Sequence, residues 1–191
     1  MKKGSCTVLF VLYLITAGFS QTDSTIFPEV DKSPMDMSYC PANYPVLKLS
    51  DKTGESPFVR IIYGRPQKNG RAIFGDLIEY GQVWRLGANE ATEIEFYKDV
   101  TIEDKKIKKG RYTLYAVPDK SNWTIIINKD TDIWGAFKYN SANDIARIEV
   151  PVKTLATPLE TLSMTFVKAN TGFNLVIAWD TTEVTLPILL K

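Results

Sequence analysis

Beyond residue 57 the chain alternates apolar and polar side chains with a period of two, the signature of half-buried β-strands. In residues 92–97, Ile94 and Phe96 share one face and Glu93 and Glu95 the other. Residues 58–63 read as a strand, and residues 100–102 continue the 92–97 strand after a kink. Residues 111–117 set Tyr112, Leu114 and Ala116 against Arg111, Thr113 and Tyr115. Turn-forming residues 118–122 then lead into the strand 123–128, which predicts a hairpin. In residues 146–153, Ile148, Val150 and Val152 oppose Arg147, Glu149 and Lys153. Pro151 cannot donate to a ladder, so this strand is expected at an edge. Residues 162–167 and 173–179 flank a turn at 169–172, and the second is apolar on both faces apart from Asn174, as expected of a central strand. A final strand, 183–188, follows an expected turn at 180–182. No helical period of twelve or more residues occurs. Eight or nine short strands without crossover helices predict an all-β fold, a single antiparallel β-sandwich domain of Greek-key or jelly-roll type over residues 57–191.

The rest of the chain departs from this pattern. Residues 21–56 carry Pro28, Pro34, Pro41 and Pro45 among polar residues, which predicts an extended leader without regular elements. Two long irregular stretches, 63–92 and 130–145, interrupt the strands, and such connections carry function or short elements of their own. Residues 74–80 are expected to form one or two helical turns closed by Gly81, and Ser141 to cap a turn through Ile145. The mixed charge run from Glu103 to Lys109 reads as a solvated hairpin tip.

The first twenty residues carry an address. Lys2 and Lys3 precede an apolar run over residues 6–17, followed by Gly18, Phe19 and Ser20, the order of a secretory signal peptide cleaved after Ser20. The run is shorter than the roughly 20 residues that cross a bilayer, so the mature chain is expected to have no membrane span and to be periplasmic or extracellular. Cys6 lies too early and Cys40 too late for a lipoprotein. Cleavage leaves Cys40 as the single thiol, which excludes an internal disulfide and a multi-cysteine metal site.

Composition narrows the chemistry. The 191 residues hold 23 Lys and Arg against 22 Asp and Glu, a balance that gives no basic field for nucleic acid. The chain has no histidine, which removes Ser-His and Cys-His nucleophile pairs and every His-containing zinc site. Neither a Walker loop nor a dinucleotide fingerprint is present, so no cofactor is expected.

Candidate ligand-binding residues concentrate in the irregular stretches. The first holds Arg65, Arg71, Trp84, Arg85, Asn89 and Glu90 among glycines. Arginine forks grip carboxylates or phosphates in bidentate fashion, and glycines let backbone approach a ligand. The same residues also suit a loop that must satisfy its own carbonyls. The second stretch offers Trp134 and Asp144, a pairing of aromatic ring and acid that suits carbohydrate. Two functions follow: a non-catalytic binding module for a glycan, peptide or small anion, and a histidine-free hydrolase using Glu90 or Asp144 as acid or base. A structural component of the cell envelope is a third.

Several blocks carry a family resemblance: Ser33-Pro34-Met35-Asp36, Tyr63-Gly64-Arg65-Pro66, Phe74-Gly75, the run from Val83 to Thr92, Gly110 to Leu114, and Trp134-Gly135. The sequence from about Ser33 to Ile188 resembles the bacterial family called domain of unknown function 2911. The resemblance implies an exported protein of Bacteroidota or their relatives. It brings no established activity and no agreed catalytic residues.

Overall fold

The computed structural model describes residues 26–190, so the expected signal peptide lies outside the described residues. The chain divides into Met1–Val30 and a compact unit, Asp31–Lys191. In the first of these, residues 26–30 are exposed and form no helix or strand.

The second unit is all-β. Its strands are β1 (Met35–Cys40), β2 (Val59–Gly64), β3 (Glu93–Phe96), β4 (Val100–Ile102), β5 (Lys105–Ile107), β6 (Gly110–Pro118), β7 (Asn122–Asn128), β8 (Asp144–Ala169) and β9 (Gly172–Leu190). They form one antiparallel sheet in the order β1-β2-β3-β6-β7-β8-β9-β4-β5. The two long strands turn the corner. Residues 144–151 of β8 pair with β7, and from Val152 onward its partner is β9. The far half of β8 then reaches the opposite end of the sheet, where Lys68 N donates to Glu160 O (2.7 Å) and Leu162 N to Pro66 O (3.0 Å). The sheet thus curls back on itself, and strands from both ends bury side chains in one core.

An aromatic cluster fills the centre. The Phe74 ring lies 4.9 Å from that of Trp123, and Trp84 stacks on Trp179 at 6.2 Å. Phe74 and Trp84 come from the irregular stretch 63–92, which also buries Ile73 and Leu86 completely. That stretch is a plug whose inward residues supply core that short strands lack.

The Tyr63-Gly64 and Gly87-Ala88 pieces meet backbone to backbone. Ala88 N donates to Gly64 O at 3.3 Å, and a Cβ on Gly64 would lie 2.1 Å from Ala88 O. Only glycine fits there.

Several expectations change. The prolines of residues 21–56 do not exclude regular elements: β1 lies between Pro34 and Pro41, and a helix, α1 (Tyr44–Leu49), starts with Pro45 in its first turn, where the missing N–H costs nothing. The strand carrying Pro151 is not an edge strand. Pro151 faces Asn122 at the last register position with β7, and because the next amide, Val152 N, donates to Ser121 O at 2.8 Å, the proline nitrogen is turned to the other side, where pairing with β9 begins only at Val152. The turn expected at 180–182 is a left-handed residue, Asp180 (φ 52°), inside the continuous β9. Residues 74–80 form turns rather than helix, with Phe74 bridged to Ile78, although Gly81 does adopt the left-handed φ of 75°. The helical turn at Ser141–Asn143 is 3-10 and its cap is Asn140, whose side chain accepts from Ala142 N at 3.0 Å. Tyr115, placed by alternation on the polar face, is buried with Ile126 beneath Val83, Ile133, Ala136 and Tyr139. The second irregular stretch therefore covers the outer face of β6 and β7.

Gly64→Ala should cost about 2–3 kcal/mol or more, because overpacking against main chain leaves nothing flexible to yield. Gly70→Ala, a positive-φ glycine with open space around it, should cost only about 1 kcal/mol. Urea denaturation of both variants checks the contrast.

Candidate functional site

The site forms where the backbone from Trp84 to Thr92 is pinned at both ends. Trp84 and Ala116 exchange main-chain hydrogen bonds of 2.7 and 2.9 Å, and Thr92 N donates to Arg85 O at 3.1 Å. Thr92 Oγ1 also donates to Leu86 O at 2.8 Å, and Leu86 and Asn89 hold positive φ angles of 56° and 60°. With Trp84 committed to the core, the next residue, Arg85, lines two neighbouring cavities. One, of about 340 Å³, is walled by Leu77, Gln82, Val83, Arg85 and Phe137 among others. The other, of about 280 Å³, brings Arg85 together with Arg71, Asn89, Ser33 and Trp179.

Arg85 is a partly buried charge left without a partner among the described residues. Three buried side-chain nitrogens among the described residues lack a partner: Arg60 Nε, Arg85 Nε and Trp123 Nε1. Arg60 is neutralised through its Nη2, 2.6 Å from Glu95. The guanidinium of Arg85 makes no hydrogen bond or ion pair with a described residue, and burial pulls its pKa below the usual arginine value. Glu79 shares the larger cavity but forms no ion pair with it.

The other candidates divide. Arg65 is a clamp: it donates to Asp36 (2.9 Å), Leu162 O (3.0 Å) and Ser163 Oγ (2.9 Å), tying the end of β2 to β8. Arg71 donates to Lys68 O (2.9 Å) and Gln67 O (2.6 Å), bracing its own loop at the cavity wall. Trp84 is core and donates to Gly87 O at 3.2 Å. Glu90 is exposed and lines a different, smaller cavity with Ile62, Glu93 and Asp132. Trp134 is 61% exposed. Asp144 is held by Tyr139 (2.5 Å), Arg147 (2.9 Å) and Asn128 (2.9 Å), apart from Arg85. Of the eight candidates, the fold brings Arg71, Arg85 and Asn89 to one cavity. Leu77, Gln82, Phe137 and Trp179 complete the walls. Leu77, Phe137 and Trp179 carried no signal in the sequence, since an apolar residue at a cavity wall and one in a core look alike in alternation, and Gln82 lies in a stretch without a period.

Two contrasts follow. Arg85→Met should leave stability within about 0.5 kcal/mol of the parent, or raise it, because no buried bond is lost. Arg65→Met should cost about 1–2 kcal/mol, a value reduced by the partial exposure of the pair. Guanidinium denaturation of each variant measures both.

Tyr139 offers a pH test. Burial, and then its hydrogen bond to the Asp144 carboxylate, push its pKa from 10.0 up to about 12. A raised folded-state pKa contributes stability that is complete below about pH 10 and lost as pH rises towards 12. Asp144→Asn should lower the Tyr139 pKa, seen as an earlier rise of phenolate absorbance, and should shrink that alkaline loss.

The profile of the family described as "Protein of unknown function (DUF2911)" matches residues 45–188. No curated protein and no solved structure matches the chain. The matched span runs from α1 through β9 and includes the pinned Trp84 to Thr92 backbone and its cavities, so the chain belongs to the DUF2911 family.

Proposed function

We propose that the protein is exported and acts as a non-catalytic binding module for a small anion, with Arg85 as the anchoring group. The observation that carries this reading is the unpartnered, partly buried guanidinium at the junction of two cavities. A desolvated charge without a partner costs free energy in the empty protein. A carboxylate, phosphate or sulfate at Arg85 recovers that cost through a bidentate pair. Asn89 adds an amide to the same wall. A hydrolase is less well supported: Glu90 lines another cavity and Asp144 is saturated by its own neighbours. No helix among the described residues is long and apolar enough to cross a membrane. The export reading rests on the order of charged, apolar and small residues in the first twenty positions.

Phosphate, sulfate and acetate, each compared with chloride at matched ionic strength, should raise the melting temperature of the parent protein by mass action. Arg85→Met should abolish the anion-specific part of the shift. Equal shifts in parent and variant would reflect general salting effects and remove Arg85 from the function. Mass spectrometry of the protein from its native envelope should find a mature N-terminus at Gln21. An intact N-terminus would end the export reading.

A further inference from the structure

A larger cavity than those at Arg85 lies elsewhere, beside the residues that join β8 to β9 and next to the end of β1. It has a volume of about 630 Å³. Its walls include Cys40, Phe58, Phe166, Phe173 and Leu190, and Lys168 is the single charged wall residue among those described. Phe166 and Phe173 are buried and meet edge to face at 5.6 Å, so the apolar floor is fixed by packing. The Lys168 side chain is exposed and makes no hydrogen bond or ion pair with a described residue. A second ammonium, that of Lys98, sits 5.2 Å from the centre of the Phe58 ring. Among the described residues, no acidic side chain lines the cavity. This volume lies within the usual range for small-molecule sites, roughly 300–1,000 Å³.

The geometry points to a binding site for an anionic amphiphile with a single alkyl chain, independent of the Arg85 site. Phenylalanines and Leu190 surround the chain, and Lys168 takes the carboxylate or other anionic head. The apolar wall supplies the affinity and the ammonium supplies the polarity of entry. A neutral alcohol of the same length lacks the second, and a cationic surfactant opposes it.

Cys40 gives the test an internal reporter. Its thiol is buried at the cavity wall and burial raises its pKa, so slow alkylation is expected of the free protein. The full chain is titrated with octanoate, decanoate and dodecanoate below their aggregation thresholds, by calorimetry. Alkylation of Cys40 is followed in parallel by peptide mapping, which separates it from Cys6. The expected result is one site per chain, tightening about three- to fourfold per added methylene. Saturating dodecanoate should slow Cys40 alkylation by about tenfold, in proportion to occupancy. Lys168→Glu lies on an exposed position and should fold normally; it should weaken dodecanoate by at least about fivefold while leaving dodecanol unchanged. Absence of binding, binding without protection of Cys40, or equal affinity for dodecanoate and a dodecyl ammonium salt would overturn the proposal. Protection of Cys40 by dimerisation of the protein alone would assign the cavity to a second copy and overturn it as well.

Discussion

The contact between Gly64 and the Gly87-Ala88 backbone is the constraint on which the site depends. It brings the end of β2 against a segment more than twenty residues later at a separation that tolerates no Cβ. Once that approach is made, the chain between the two glycine-bearing pieces folds inward as a plug. It delivers Ile73, Phe74, Trp84 and Leu86 to the core. The sheet by itself could not close around so large an interior with side chains from short strands alone. The plug fills it, and the four-ring cluster of Phe74, Trp84, Trp123 and Trp179 locks plug to sheet.

Closure of the sheet is a second consequence. Because the chain leaves β2 through Arg65 and Pro66, it runs alongside the far half of β8. Arg65 then spends its fork on Asp36, Leu162 O and Ser163, and Tyr63 OH receives the Met164 amide at 3.0 Å. Lys68 pairs with Asp180 at 2.6 Å on the same side. The cations of this corner are thus committed to architecture. Arg85, two residues before the close contact at Gly87, is not. The contrast between spent and unspent arginines is what separates a candidate site from its scaffold.

The second irregular stretch plays a matching role on the outer surface. It buries Tyr115 and Ile126 and is held by the hydrogen bonds of Asn128, Asp130, Asn143 and Asp144. Trp134 bridges to Glu90 through main chain, and Gly135 N donates to Asn89 O at 3.0 Å. The two stretches that sequence separates are therefore one continuous surface around Arg85, to which Ala136 and Phe137 also contribute.

The alternation of apolar and polar residues determined the all-β class and the approximate spans of β2, β3, β6 and β7, because period two is a local property of a half-buried strand; it did not place β4, expected to continue β3 but found to leave it and pair with β5 and β9. It marked the glycine- and arginine-rich stretch as unusual for the same reason: that text obeys no period. It failed wherever burial on both faces or a change of partner overrode the local pattern, as at Tyr115 under a covering loop and at Pro151 where β8 passes from β7 to β9. Six-residue elements such as β1 and α1 hid between prolines that looked like breaks but sit where no donor is required. Sequence alone named Arg65, Arg71 and Arg85 as equals. Only the tertiary structure distinguished them, because whether a guanidinium is spent depends on which carbonyls and carboxylates the closing sheet brings within about 3 Å of it, and that proximity is written in no stretch of neighbouring residues.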